Sequence, residues 1–345
     1  MTAITDAPTP LVSLIKVQRT FERQRKVIPV LQDITLEVFP NEILCLVGES
    51  GCGKTTTGKI IAGLLRPTAG EIRIEGQPAS AYRGRAARAK LRRELQIVHQ
   101  DPFASLNPTH TIGQILSYPL RRHWMVKDRA ELRRRVWELL TLVDLTPPGD
   151  MVNKYPHQLS GGQRQRVSIA RALTVNPRLI VADEAVSMVD VSIRIGILKM
   201  LHALRERLNL AIVFITHDLA LAKYFAWEGR IAVMYLGRIV EIGRTPEVIA
   251  HPAHPYTRAL LSAVPEADPD ITRRKQQIAL RSEDIPSLTA IPSGCAFHPR
   301  CPYFVPGMCN GEIPILTPAP QTGQLVACTP LTHDGFLTAH SEPHA

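Results

Sequence analysis

The sequence predicts an α/β fold built on a mostly parallel sheet, with a loop-rich appendage at its C-terminal end. Three observations carry this. Short apolar, strand-type runs alternate with helix-type segments between residues 43 and 216, the order that packs helices against parallel strands. One of those runs, residues 43–47, leads directly into a glycine-rich loop and then a helix-type segment. Beyond about residue 246 the periodicity weakens and prolines crowd in, at 252, 255, 265, 269, 286, 292, 299 and 302.

The elements follow in order. Residues 11–17 and 34–39 are β-type runs, and residues 43–47 read as a buried strand. A helix is expected over 55–65, stopped by Pro67 and Gly70. Residues 71–76 alternate as a strand does and end at a turn. A basic helix over 86–95 and a strand over 95–99 come next. From 112 to 145 apolar residues recur at helical spacing (Leu132, Val136, Leu139, Leu140, Val143), which reads as a helical block inserted between strand units. Ser160 caps a helix running to Leu173. A strand at 179–182, a helix at 193–208 and a strand at 210–216 complete the core.

With 345 residues the chain suits one large domain plus an appendage. No apolar run approaches the ~18–20 residues of a membrane-spanning helix, and residues 1–10 have no basic start followed by an apolar stretch, so a cytosolic chain without a secretory leader is expected. The net charge of +10 is concentrated in residues 83–93 and 121–135. Solvated helix faces are the plain reading, and attraction to anionic lipid headgroups or nucleotide is the functional one. Aromatic residues make up only 5% of the chain, too few for the stacking platforms of a nucleic-acid binder, so no nucleic-acid partner is expected.

Gly48-Glu49-Ser50-Gly51-Cys52-Gly53-Lys54-Thr55 fits G-x-x-x-x-G-K-[ST] between a strand and a helix. In this context the backbone N–H groups and the helix N-terminus cradle the phosphates of a nucleotide. Lys54 neutralises the β/γ-phosphates, the Thr55 hydroxyl is placed for Mg²⁺, and Thr56 continues the cradle. The strand 179–182 ends in Asp183 and Glu184, suited respectively to the Mg²⁺ shell and to polarising an attacking water as general base. ATP and Mg²⁺ are the expected ligands. Ser160-Gly161-Gly162-Gln163, opening a helix, makes a second anion cradle.

Leu159 to Gln163, set between a P-loop and an Asp-Glu strand, resembles the signature of the ABC ATPases. The resemblance implies a P-loop NTPase domain with a mostly parallel sheet core, an antiparallel β subdomain and an inserted helical subdomain. It implies that two subunits pair head to tail, the signature of one closing over the ATP held by the other. Gln100 then resembles the glutamine that senses Mg²⁺ and the γ-phosphate and opens the segment facing the membrane subunits. His217 resembles the switch histidine, Asp190 belongs to the loop coupling the two sites, and Phe21 is the candidate for stacking on adenine. The family's usual proline after the glutamate, and its Ala-Leu in the coupling loop, are here Ala185 and Met188-Val189.

Of six cysteines, Cys295, Cys301, Cys309 and Cys328 lie together late in the chain. Four thiolates at such spacing suit zinc or an iron–sulfur cluster, and His298 could complete a Cys3His zinc set; the residues alone leave the metal open. Residues 292–302, His254-Pro255-Tyr256-Thr257, residues 100–108 and residues 234–241 resemble the oligopeptide/dipeptide importer ATPases. That resemblance implies a 4Fe–4S cluster on the four cysteines.

The expected organisation is an ATPase domain over 11–245, its helical subdomain at about 101–172, an extension over 246–330 and a flexible tail over 331–345. The expected function is ATP hydrolysis that powers a binding-protein-dependent importer, with di- or oligopeptides as substrate; nickel, glutathione and oligosaccharides are the alternatives within the subfamily. The expected partners are a second, related ATPase chain, two transmembrane permease subunits and an extracytoplasmic substrate-binding protein. The expected location is peripheral, on the cytoplasmic face of the inner membrane. A soluble ABC ATPase unconnected with transport is the distant alternative. It would need long coiled coils or a second cassette, and only about a hundred residues separate Lys54 from Ser160.

Overall fold

The computed structural model describes residues 8–23, 26–124, 126–264, 277–320 and 322–330. The tail expected at 331–345 lies outside them. The chain opens with β1 (Val12–Arg23) and β2 (Lys26–Val38), then enters β3 (Ile43–Val47) and α1 (Lys54–Ile61). It returns through β4 (Ala69–Ile74) and β5 (Gln77–Pro78), and α2 (Gly84–Glu94) leads to β6 (Leu95–Val98). Helices α3 (Pro102–Ser105), α4 (Ile112–Trp124), α5 (Arg129–Leu142), α6 (Pro148–Val152) and α7 (Gly161–Leu173) form the inserted block. β7 (Leu179–Asp183), α8 (Val191–Leu208), β8 (Ala211–Thr216), α9 (Leu219–Phe225), β9 (Arg230–Tyr235) and β10 (Arg238–Arg244) follow. Then come α10 (Thr245–Ala250), α11 (Pro255–Ser262), β11 (Thr317–Pro318) and β12 (Leu325–Val326).

Two sheets result. A small antiparallel sheet has the order β2-β1-β4-β5, and the main sheet the order β11-β12-β10-β9-β3-β8-β7-β6. Strands β6, β7, β8, β3 and β9 pair in parallel; β10, β12 and β11 add on antiparallel. β3, β7 and β8 are buried along their whole length, which is why they read as unbroken apolar runs rather than alternating ones. The strand pleat still sorts them. Ile43, Cys45 and Val47 join the apolar cluster on the face carrying α4, α5, α7 and α8. Leu44 and Leu46 join the cluster beneath β1, β2 and α1.

The helical block at 112–145 is split. Asp128 accepts from the backbone N–H of Glu131 at 2.7 Å and starts α5 as a separate helix. β1 and β2 run well beyond the short apolar runs because they pair with each other almost end to end. β9, β10 and the short strands of the extension were not expected.

Residues beyond 246 are not set apart from the core. β12 pairs with β10, Glu241 opposite Val326 and Ile242 opposite Leu325. Tyr256, Phe297 and Cys301 are buried within the larger apolar cluster. A carboxylate fixes the join. Glu241, 0% exposed, accepts from Ala253 N at 2.8 Å, His254 N at 3.0 Å and Gln324 Nε2 at 3.0 Å.

Candidate ATP site

The parallel register brings the chemical residues to one edge of the sheet. Val47 lies opposite Thr216, Asp183 opposite Ile215, and Val98 opposite Ala182. The loops leaving β3, β6, β7 and β8 therefore emerge together, at the C-terminal strand ends where open α/β sheets place their ligands.

Gly48 to Gly53 turns from β3 into α1. Gly48, Gly51 and Gly53 have φ of 149°, 80° and 105°. A Cβ at Gly48 would sit 2.1 Å from the Met234 carbonyl oxygen, and one at Gly53 would sit 2.6 Å from Leu31 Cδ2. Gly51 faces open space. The loop is thus packed hard against protein at both ends and open at its crest, and no acidic side chain stands in the first turn of α1. That is the form of an anion cradle. The Lys54 ammonium, 5% exposed, donates to the Gly48 and Glu49 carbonyls at 2.7 and 2.8 Å and leans over the loop. Cys52 is buried beside it, 3.7 Å from Lys54 Nζ; burial pushes this thiol up, against the pull of Lys54. Ser50 and Thr55 are exposed, and Thr56 is half-buried.

The Thr55 hydroxyl donates to Asp183 Oδ1 at 2.9 Å, joining the start of α1 to the end of β7. Burial pushes the Asp183 carboxyl above its ordinary range; the Thr55 hydrogen bond pulls it back and the charge of Glu184 raises it further. A buried carboxylate and a hydroxyl in contact are oxygen donors of the kind a hard divalent cation takes, so this pair fits Mg²⁺. His99 stands near it. Burial pushes its imidazole down, Asp183 draws it up, and Lys59 and Arg171 push it down.

Glu184 has φ of 48°, a left-handed conformation that a non-glycine residue holds only when its surroundings impose it. Here Glu184 N donates to the Ile215 carbonyl at 3.0 Å, and its own carbonyl accepts from Ser187 N at 3.0 Å and from Ser187 Oγ at 2.9 Å. The twist aims the carboxylate at His217, whose Nδ1 lies 3.2 Å from Glu184 Oε1. A carboxylate and an imidazole are thereby paired at the rim of the cradle.

Other expected residues stand apart. Ser160 Oγ accepts from Gln163 N at 3.3 Å while Gln163 Oε1 accepts from Ser160 N at 3.0 Å, a reciprocal capping box on α7. A Cβ on Gly162 would meet Ile193 Cγ2 at 2.5 Å, and one on Gly161 would lie 3.7 Å from the Met188 carbonyl. The 160–163 segment thus packs on the 188–193 loop, and no hydrogen bond among the described residues joins it to the P-loop. Asp190, exposed, opens α8 with its carbonyl accepting from Ile193 N and Arg194 N. Gln100 is exposed in the bend after β6. Phe21, 37% exposed on β1, carries the Arg19 guanidinium over its ring at 4.6 Å.

The cysteines require a correction. Cys295, Cys301, Cys309 and Cys328 do line one cavity, with His254 and His298. Yet among the described residues no group of three or more His, Cys, Asp or Glu is arranged to hold a metal ion. The cavity measures about 20 Å³, room for about one water molecule and not for an eight-atom cluster. Burial pushes the Cys295 thiol up to about 11 and raises Cys301 as well. The expected 4Fe–4S cluster is not supported; the Cys309 sulfur instead accepts from Val305 N at 3.4 Å.

An ABC transporter profile matches residues 31–187, spanning the P-loop, the capped Ser160 and the Asp183-Glu184 pair. A profile for the C-terminal region of oligopeptide/dipeptide transporters matches residues 240–309. A probable peptide ABC transporter ATP-binding protein of Sinorhizobium fredii, y4tS, is 44% identical over 308 residues, covering 89% of this chain and 84% of that one.

The chain belongs to the ABC transporter ATPases.

The oligopeptide transport ATP-binding protein OppF of Escherichia coli is 41% identical over 325 residues, 92% of this chain and 95% of that one. Among solved structures, the dimeric cassette MJ0796 superposes with a TM-score of 0.61 at 30% identity, covering 68% of this chain and 98% of that one. CbiO1 from Clostridium perfringens does so with a TM-score of 0.62 at 26% identity, covering 70% and 92%. This ABC ATPase hydrolyses ATP in the service of transport. Among the described residues, no helix is long and apolar enough to cross a membrane.

Sequence reasoning missed what the extension does at this site. Glu49 N donates to Tyr256 Oη at 2.9 Å, and Arg300 grips the Glu49 carboxylate with two N–H groups at 2.8 and 3.0 Å. Both partners stand in segments singled out for resemblance, His254 to Thr257 and residues 292–302, but nothing local in either points back to the P-loop.

Proposed function

We propose that this chain powers import of di- or oligopeptides, bound to the inner face of the cell membrane through permease subunits and supplied by an extracytoplasmic substrate-binding protein. The observation that carries the peptide reading is the match of residues 240–309 to the oligopeptide/dipeptide C-terminal region; the names of the peptide-importer relatives support it.

In this reading the loop of residues 48–55, through N–H groups other than that of Glu49, and the Lys54 ammonium hold the ATP phosphates, and Phe21 backs the adenine. Thr55, Asp183 and Gln100 would hold Mg²⁺, which would supply charge neutralisation at the phosphates. Glu184 takes the proton of the attacking water, and His217, 3.2 Å away, orients the Glu184 carboxylate and reaches the γ-phosphate. The N-terminus of α7, with Ser160, Gly161, Gly162 and Gln163, serves the ATP of a second chain, and Asp190 lies at the seam. A related, non-identical ATPase is the proposed second chain. Closure of the pair around ATP moves the segment after Gln100 and, with it, the permease subunits.

The test is uptake by a strain lacking this chain, restored with the intact chain or with Glu184→Gln. The panel is a labelled dipeptide, a tripeptide, nickel, glutathione and an oligosaccharide. Peptide uptake restored only by the intact chain is the expected result. Loss of a different panel member alone moves the substrate to that solute.

A further inference from the structure

We propose that the C-terminal extension is part of the ATP-binding apparatus, with Tyr256 and Arg300 as the residues that position the P-loop. This rests on the reading of residues 48–55 as the ATP site.

The geometry converges on one residue, Glu49. Lys54 donates to the Glu49 carbonyl at 2.8 Å, so the position of the ammonium depends on where Glu49 sits. Glu49 is in turn held from the other side by the extension alone. Its N–H goes to the hydroxyl of Tyr256, 1% exposed in the first turn of α11. Its carboxylate takes both ends of the Arg300 guanidinium, the two-pronged geometry that fixes direction as well as distance.

Arg300 is itself well fixed. It is 4% exposed, its Nη1 lies 3.4 Å from Tyr235 Oη, and its guanidinium carbon lies 5.7 Å from the Phe297 ring centre. The rings of Tyr235, Tyr256 and Phe297 pack on one another at 4.7–5.3 Å. The turn that presents Arg300 is closed by His298 N to Cys295 O at 2.9 Å and by Arg300 N to Phe297 O at 2.9 Å. The same turn sends Cys295 and Cys301 into the cysteine-lined cavity. One rigid turn therefore has the P-loop on one side and the thiol pocket on the other. A loop held in its phosphate-binding shape before ATP arrives loses less freedom on binding, and so binds more tightly.

The experiment is calorimetric titration of the purified full-length chain with ATP and Mg²⁺, with thermal melts of each variant. Arg300→Gln is expected to weaken ATP binding by about tenfold. Tyr256→Phe keeps the ring packing, loses only the acceptor for Glu49 N–H, and is expected to weaken binding about threefold to tenfold. Glu49→Gln should match Arg300→Gln, and the double variant should be no worse than either alone, since they break one contact. Glu241→Gln loosens the same extension without touching Glu49; it should lower the melting temperature and leave ATP affinity unchanged.

ATP affinity that follows melting temperature across all of these variants, Glu241→Gln included, overturns the positioning role. So does unchanged affinity in both Tyr256→Phe and Arg300→Gln. If Arg300→Gln does not fold, Tyr256→Phe decides alone. Lys54→Ala separates this proposal from its foundation: if that variant binds ATP normally, the P-loop reading itself fails.

Discussion

Glu241→Gln tests how the extension is fastened to the sheet, and its effect should depend on pH. Both Glu241 oxygens accept N–H groups: Oε1 from Ala253 N and Gln324 Nε2, Oε2 from His254 N. A glutamine must turn an NH2 toward one of those donors. A buried donor left unmet costs about 1–3 kcal/mol. The carboxylate carries its own penalty, because burial raises its pKa to about 7 from an ordinary 4.5. A raised folded-state pKa means a contribution that is fully present below the unfolded value and lost as pH rises through the folded one. Between about pH 4.5 and pH 7 the native state holds a proton that the unfolded chain has released. Glu241 therefore contributes a loss of stability across that window, on the order of 3 kcal/mol for a shift of this size. The neighbouring His254 is held neutral in the folded chain, burial pushing it down to about 3 from 6.5; the unfolded chain takes up that proton below about pH 6.5, an opposing effect common to both proteins, so the difference between them is what reports Glu241. Urea denaturation of both proteins at about pH 5 and about pH 8 reads the difference. The wild type should be the more stable at the lower pH, and its advantage should shrink or vanish at the higher. A gap that stays constant between the two would refute the assignment of this titration to Glu241.

Glu184→Gln should lower ATP turnover by at least about a hundredfold while ATP still binds, read as phosphate release against calorimetric affinity. Thr55→Val removes the hydroxyl that donates to Asp183 and should raise the Mg²⁺ concentration needed for half-maximal ATPase by about tenfold or more. Gly162→Ala forces a methyl against Ile193 Cγ2, which a Cβ would meet at 2.5 Å, and should cost about 1–3 kcal/mol in urea denaturation.

The ATP site was legible because phosphate chemistry imposes local order. The glycines, Lys54 and Thr55 must be contiguous to wrap one anion, and the box of Ser160 and Gln163 spans a single helical turn. Asp183 and Glu184 end a strand whose unbroken apolar run already announced a buried centre. What escaped was non-local. Arg300 and Glu49 lie 251 positions apart, brought together by the packing of Phe297 on Tyr235 and Tyr256 and by the fastening of the extension to β10. The left-handed turn at Glu184 is imposed by Ile215 and Ser187, which no motif encodes. The cysteines misled for the opposite reason. Their spacing does gather them around one cavity, but ligand chemistry also depends on arrangement and room, and the cavity of about 20 Å³ offers neither.

The capping box also bears on the proposal that a second chain completes the site. The first four N–H groups of a helix lack partners within it. In α7 the box satisfies Gln163 N and Ser160 N internally. The N–H groups of Gly161 and Gly162 make no hydrogen bond among the described residues, and the missing side chain of Gly162 lets the turn pack closely on Ile193. That second cradle stands on the helical block, packed on the 188–193 loop, with no hydrogen bond to the first. In the proposed pairing, two cradles of one chemistry that do not meet in one chain serve a single phosphate chain when two copies of the architecture face each other. The P-loop must then hold its shape against a moving partner, and the contacts of Tyr256 and Arg300 with Glu49 resist distortion where the loop leaves its strand.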